Sequence, residues 1–333
     1  MRLRTRLCDL LGIEYPIVQA PMGSISWADL AAAVSNAGGL GTMGTNAGTT
    51  TLSNDVEIVG ERLRQEIRRA KKLTSKPFGI NFPMGSPESK RFCERCVEVA
   101  IEEKIPVAIT SMGSPAIYTE RFHKAGAKVM HVIASVRHAK GAEAAGVDAV
   151  VANSYEAGGH SGFDELTTFV LVPQVVDAVR IPVLAAGGIA DARGLIAALA
   201  LGAEAAYMGT RFLATHQCAA HPNAKEAVIK AGDTDTVAWG RKTVMVRTIK
   251  NELSRQYIEK EMGGASREEL LAFMGTGRYR KAVVEGDVVY GEMSAGANSG
   301  MIEEIISAAE VVRQLVQEAE TVMSRLNRIA SFP

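Results

Sequence analysis

Short apolar runs recur along the first two-thirds of the chain: PIVQA (16–20), GLGTMG (39–44), PFGIN (77–81), PVAIT (106–110), KVMHVI (128–133), DAVVAN (148–153), PVLAA (182–186) and AAYMG (205–209). They show little period-two alternation, the pattern of parallel strands covered on both faces. Between them lie amphipathic helical stretches, among them 27–38, 54–73, 116–126, 135–146, 169–179 and 191–202. Helices commonly stop at a glycine, and Gly38, Gly126, Gly146 and Gly202 stand at such ends. Eight strands, most followed by a helix, predict an α/β fold of the (β/α)8 TIM-barrel type. A doubly wound open sheet is the competitor, but it rarely needs eight consecutive βα units.

After Thr210 the rhythm changes. Residues 216–290 carry more charge and helical patterns with few apolar strands, which predicts an inserted helical cap or lid subdomain. Residues 300–328 form one long amphipathic pattern that predicts a C-terminal helix closing the barrel. The expected division is therefore a barrel from 1–215 plus 291–333 and a cap from 216–290.

Composition narrows the function classes. The chain has 333 residues and is 47% hydrophobic and 22% charged, enough to bury a large core. Lys+Arg and Asp+Glu both total 37, so the net charge is zero. That argues against nucleic-acid or membrane-surface partners, which select a basic excess. Four cysteines are too few for a disulfide framework at this length, and the basic N-terminal stretch lacks the form of a targeting peptide. No apolar run approaches a membrane span. The expectation is a soluble, cytoplasmic protein acting on a small molecule, with a homodimer admitted.

In a barrel of this type the active site lies at the C-terminal ends of the strands. The first apolar run leads into Ala20-Pro21-Met22-Gly23, the third ends at Asn81, and the sixth runs on into EAGGHSG (156–162). The seventh and eighth end in Ala186-Gly187-Gly188 and Met208-Gly209-Thr210. Loops after strands seven and eight frequently build a phosphate site from bare backbone N–H groups, and Thr210 adds a hydroxyl donor. Each glycine turn alone is ordinary punctuation; the pair at these two strands favours a phosphate-bearing ligand. Gly39–Gly44 matches G-x-G-x-x-G, but a helix precedes it and the glycines run through a strand, so it is a false dinucleotide match.

His160 sits among three glycines just past a buried strand, where an imidazole titrating near neutral pH suits proton transfer. His123 and His138 fall on helices and read as surface residues, and His131 lies inside a strand and reads as packed. His216, Cys218 and His221 lack the second half of a zinc spacing, so a turn is preferred and no metal is expected. Cys93 and Cys96 are one helical turn apart and read as a partly buried helix face.

QAPMG, AGGLGTMG, PFGIN, EAGGHSG, AAGGIAD and MGTRFLAT occur in this order, and together they resemble the FMN-dependent nitronate monooxygenases (2-nitropropane dioxygenases). The same superfamily contains flavin-dependent enoyl-acyl-carrier-protein reductases and NAD(P)H:quinone reductases. The resemblance covers nearly the whole chain, including SAGANSGMI. It implies FMN at the barrel mouth, its phosphate on Gly187, Gly188, Gly209 and Thr210, with Ala186 and Met208 beside them. Ala20, Pro21, Met22 and Gly23 would pass along the ring, Asn81 would hydrogen-bond it, and Gly158 and Gly159 would leave it room. His160 matches the family's catalytic histidine. One departure is Val132, where some members carry a lysine near the flavin.

The resemblance leaves the reaction open between branches. A nitronate monooxygenase would oxidise alkyl nitronates with oxygen to a carbonyl compound and nitrite, and this is the preferred reading. A reductase would use NAD(P)H and deliver hydride to an enoyl thioester or quinone. LTTFVLVPQVVDAV is similar to the enoyl reductases, whereas MGTRFLATHQCAAHP and the cap resemble the quinone reductases and nitronate enzymes. Trp239, Arg241 and Arg247 are candidates to line substrate access, against a default of surface packing. A reading from another class is a non-catalytic barrel binding a phosphorylated metabolite.

Overall fold

The computed structural model describes residues 3–49, 51, 53–85 and 87–330. Its strands, in chain order, are β1 (Ile17–Gln19), β2 (Gly41–Gly44), β3 (Phe78–Pro83), β4 (Val107–Ser111), β5 (Lys128–Ile133), β6 (Ala149–Asn153), β7 (Gly159–His160), β8 (Val183–Ala186), β9 (Ala205–Met208), β10 (Thr236–Trp239) and β11 (Val246–Ile249). Eight of them form one parallel sheet in the order β1-β9-β8-β6-β5-β4-β3-β2. A parallel bridge between Val18 and Leu40 brings β1 back beside β2, so the sheet nearly closes into a barrel. The eight strands are the eight apolar runs of the sequence, with two differences. β3 continues past Asn81 to Pro83, which places Asn81 inside the strand rather than at its end. β6 stops at Asn153, and Gly159–His160 is a separate short strand outside the barrel.

The helices are α1 (Arg6–Leu11), α2 (Ala28–Asn36), α3 (Val56–Leu73), α4 (Pro87–Glu102), α5 (Thr119–Lys124), α6 (Val136–Ala144), α7 (Thr168–Ala178), α8 (Ala192–Ala200), α9 (Thr210–Leu213), α10 (Pro222–Lys230), α11 (Glu252–Met262), α12 (Arg267–Met274), α13 (Arg278–Val283) and α14 (Ala308–Ala330). The glycines at 38, 126, 146 and 202 all have positive φ just past a helix, the left-handed residue that commonly ends one.

Successive side chains of each barrel strand point to opposite faces. Val18, Leu40, Val107, Ile109, Met130, Val151, Leu184 and Tyr207 fill the inside; Ile17, Met43, Ile80, Val129, Val150 and Ala185 pack outward against the helices. Leu7, Cys8 and Leu11 of α1, with Ile13, belong to the inner cluster and floor the barrel. Glu204 ties this plug down: its carboxylate accepts from the Leu7 amide at 3.0 Å and pairs with Arg6 at 2.5 Å. Burying one such aliphatic side chain stabilises by about 1.5–3 kcal/mol. Gly41, in the rejected dinucleotide match, has a packing reason: a Cβ there would overlap the backbone of Ala31 on α2.

The segment read as a helical cap holds α10 to α13 and also two strands. β10 and β11 pair antiparallel, and β11 then pairs with β7, giving a three-stranded sheet. Trp239, Val246, Tyr257 and Leu270 make a small core of their own, whereas Ala224, Val228, Ala282 and Val283 join the main one. The strands escaped the sequence reading because β10 is only half-buried over most of its length and carries a weak apolar signal. α14 starts later than the pattern suggested and packs against α8 and α2, where an eighth barrel helix belongs.

Candidate active site

The turns after β8 and β9 are neighbours because Ala186 and Tyr207 are paired in register. Gly187 and Gly188 have φ of 106° and 75°, left-handed values that L side chains rarely adopt. A Cβ on Gly187 would also overlap Ser154 Oγ and come within 2.8 Å of the Ala157 nitrogen. Around this turn Ser154 Oγ and Thr168 Oγ1 are hydrogen-bonded at 2.7 Å, and Thr168 Oγ1 donates to the Gly187 carbonyl at 2.8 Å. The Glu156 carboxylate accepts from the Thr168 amide at 2.6 Å, at the first turn of α7.

Gly209 is uncrowded; a Cβ there would make only an ordinary contact with Ala20 Cβ at 3.8 Å. Thr210 Oγ1 accepts from the Gly296 amide at 2.9 Å, which leaves its own proton to donate. Among the described residues, the N–H groups of Gly187, Gly188, Gly209 and Thr210 meet no protein acceptor. Buried or half-buried amides are almost always paired, so bare amides on two adjacent turns are compatible with an anionic group such as a phosphate. The Met208 side chain packs into the outer core, and its carbonyl accepts from Ala20 N at 2.9 Å.

Ala20 lies at the rim of the inner cluster. The loop from Pro21 to Gly23 is held by residues that the sequence reading did not single out. Ser26 Oγ accepts from the Met22 amide at 2.9 Å, and Gln19 Oε1 accepts from the Thr42 amide at 2.8 Å. Asn46 Oδ1 accepts from Ser24 N at 2.9 Å, where Ser24 itself has φ 62°. These are short polar side chains next to glycines, a signal that could have flagged a shaped loop. Asn81 shares a strand face with Gly79, whose Cβ direction points at Ile109 and Thr42 of the interior. Its amide donates to Ser111 Oγ at 3.2 Å and to the Ile109 carbonyl at 3.4 Å.

His160 is exposed at the mouth, and its imidazole makes no hydrogen bond among the described residues. Its backbone is held: Asn153 Nδ2 donates to the His160 carbonyl at 3.0 Å, and His160 is paired in register with Val246. Gly158 is forced by proximity, since a Cβ there would stand 2.6 Å from the backbone of Ala295 and Gly296. Ala295 and Gly296 belong to the 294–299 segment that reaches Thr210, so the histidine loop and the phosphate-type turns share one set of contacts. The sequence signal for that segment was its small residues, which carry no chemistry until the fold places them.

The other candidates fall elsewhere. His131 is buried, its Nδ1 is 2.8 Å from Thr110 Oγ1, and burial pushes its pKa down to about 4, so it is a neutral packed imidazole. His123 Nε2 pairs with Asp148 at 2.7 Å. His221 Nδ1 accepts from the Asn223 amide at 3.1 Å and caps α10, and Cys218 is buried. Burial lifts the thiols of Cys93 to about 11 and Cys96 to about 12. Among the described residues no group of His, Cys, Asp and Glu could hold a metal ion, and no helix is long and apolar enough to cross a membrane. Trp239 is in the small second core, Arg241 forms an ion pair with Glu165, and Arg247 lies over the Tyr155 ring at 4.7 Å.

Comparison with known proteins places this arrangement. The family model for nitronate monooxygenase matches residues 4–318. A probable nitronate monooxygenase of Staphylococcus saprophyticus is 30% identical over 98% of this chain and 100% of its own. The (3aS,4S,5R,7aS)-5-hydroxy-7a-methyl-1-oxo-octahydro-1H-indene-4-carboxyl-CoA dehydrogenase of Mycobacterium tuberculosis is 32% identical over 96% of this chain and 97% of its own. Among solved structures, FabK from Thermotoga maritima superposes with a TM-score of 0.87 at 40% identity, covering 98% of this chain and 99% of that one. A match over nearly the full length, on a barrel whose mouth carries these turns and this histidine, shows that the chain belongs to the nitronate monooxygenase family of oxidoreductases.

Proposed function

We propose that this protein is an FMN-dependent oxidoreductase that oxidises alkyl nitronates or nitroalkanes with oxygen, giving a carbonyl compound and nitrite. The observation that carries the reading is the set of unpaired amides at Gly187, Gly188, Gly209 and Thr210, joined through Ser154, Ala157 and Gly296 to the loop of His160. Those four residues would hold the FMN phosphate, with Ala186 and the Met208 backbone alongside. Ala20, Pro21, Met22, Gly23, Asn81, Gly158 and Gly159 would border the ring. Bound there, FMN would supply the electron transfer and the reaction with oxygen.

The chain's own residues manage position and protons. His160 in its neutral form accepts the acidic carbon-bound proton of a nitroalkane; protonated, it holds an anionic nitronate. The barrel floor of Leu7, Leu11 and Ile13 closes the interior from below, so substrate approaches from the mouth. Residues 216–290 serve as a cap over that approach, and 1–215 with 291–333 form the cofactor barrel.

Oxygen uptake and nitrite release with propane nitronate, and bleaching of the flavin on anaerobic mixing with that nitronate, test the proposal. Rapid bleaching by NADPH or NADH but not by nitronate would overturn it. A second reading, chemistry on an acyl thioester, is favoured by the 40% identity to FabK and by the relative that acts on a carboxyl-CoA. It predicts NAD(P)H oxidation that depends on an enoyl thioester. Purified protein without flavin absorbance would instead point to a non-catalytic phosphate-binding barrel.

A further inference from the structure

We propose that Arg247, on the inserted strand β11, is a positioning residue for His160, and that β11 links the histidine strand to the segment bracing the phosphate-type turns. The need for such a device lies in β7 itself. A two-residue strand outside the barrel sheet has almost no stability of its own. Its place is set by what it pairs with, and that partner belongs to the insertion. Val246 is opposite His160, Arg247 is opposite Gly159, and Ser161 N donates to the Met245 carbonyl at 3.1 Å.

Arg247 reinforces the pairing from the side. Its guanidinium lies over the Tyr155 ring at 4.7 Å, Nε donates to the Tyr155 carbonyl at 3.0 Å, and Nη1 donates to Thr236 Oγ1 at 3.0 Å. The planar guanidinium does all three at once because its donors are held in a rigid fork that also stacks on rings; an ammonium cannot do this. Tyr155 is thereby fixed between Arg247 and Leu166, whose carbonyl accepts from Tyr155 N at 2.8 Å. Asn153 holds the other end through the His160 carbonyl at 3.0 Å. With both ends pinned, the intervening loop holds the His160 backbone, from which the imidazole projects, in one place.

The second half of β11 faces a different client. Thr248 is bridged to Ser294, and Ile249 N donates to the Met293 carbonyl at 2.9 Å. Just beyond, Gly296 N donates to Thr210 Oγ1 and Ala297 N to the Glu156 carbonyl, both at 2.9 Å. One four-residue strand of the insertion therefore edges both functional loops. The proton-handling role of His160 rests on the function proposed above, but the clamp on its backbone does not.

Hydrogen exchange of the holoprotein, followed over residues 154–162, tests the clamp directly. Arg247→Met should speed exchange there about tenfold, the loss expected for charge-assisted bonds in a half-buried site, while residues 78–111 stay unchanged. Arg247→Lys should recover part of the protection, because it keeps the charge near the ring without the fork. Thr236→Ala, which removes one anchor and leaves the arginine, should give a smaller rise. In turnover of propane nitronate, Arg247→Met should lower kcat with little change in KM. Unaltered exchange at 154–162 in Arg247→Met, or an equal rise at 78–111, would overturn the clamp. Absence of any nitronate turnover, or a His160→Ala variant as active as the parent, would count against the function and leave the exchange result standing.

Discussion

Replacing Gly187 by alanine gives the sharpest test of how the phosphate-type turns are built. The residue has φ of 106°, where a side chain costs about 1–3 kcal/mol in backbone strain. The new methyl would also overlap Ser154 Oγ and must displace it. Ser154 holds Thr168, and Thr168 holds the Gly187 carbonyl, so two hydrogen bonds of about 1 kcal/mol each are put at risk. The total is about 3–5 kcal/mol, a substantial share of the roughly 5–15 kcal/mol that holds a domain folded. In a chain this long that corresponds to a fall in Tm of about 4–7 °C. The matching control is Gly209→Ala on the neighbouring turn. Its φ is −100° and its nearest obstacle is 3.8 Å away, so stability should change by no more than about 0.5 kcal/mol. The methyl would nevertheless stand beside the unpaired amides and weaken flavin binding by about tenfold or more. Thermal unfolding of flavin-free protein and titration with FMN separate the two effects. Equal Tm values for Gly187→Ala and the parent would refute the packing argument. Undiminished FMN affinity in Gly209→Ala would refute the placement of the phosphate.

Three further outcomes are expected. His160→Ala should retain flavin and lose about 100-fold or more in turnover of a neutral nitroalkane, with a smaller loss for preformed nitronate, measured by oxygen uptake. His131 is held neutral by burial, with a pKa of about 4 against 6.5 in the unfolded chain. Its contribution to stability is full above pH 6.5 and is lost as the pH falls towards 4, because only the unfolded chain takes up the proton; the loss is about 3 kcal/mol. Denaturant titrations at pH 7 and pH 4.5 should therefore show a steeper fall for the parent than for His131→Gln. Cys8, Cys93, Cys96 and Cys218 are all buried, and burial lifts the last three thiols to about 11, about 12 and about 11. Native protein at pH 7 should resist iodoacetamide, and denatured protein should react at all four positions, as read by intact mass.

The barrel was legible because its signals are local. A strand buried on both faces must be apolar along its length, and a helix that reverses direction wants a glycine, so eight runs and four end-glycines could be read without knowing any contact. The two glycine turns and His160 were legible for the same reason: each stands next to a strand whose end the pattern had located. The floor of the barrel was not. Leu7, Cys8 and Leu11 form a short helical stripe that any surface helix could carry, and only the open lower end of the closed sheet gives it a place. Alternation along β9 turns the Met208 side chain into the outer core while its carbonyl accepts from Ala20 N, a distinction no residue pattern carries.

The sequence by itself determined which segments become staves, where they stop and which glycines leave the backbone bare. Tertiary structure alone decided what those stops meet. Thr210 bonds to Gly296, a partner 86 residues away, and His160 is strand-paired to Val246 in a segment whose pattern reads as helical. Pairings of that kind leave no periodic trace in the chain. A two-residue strand is too short to show a repeat, and a backbone hydrogen bond is indifferent to side-chain identity. Both become fixed only when a closed sheet brings the ends of distant strands to one rim.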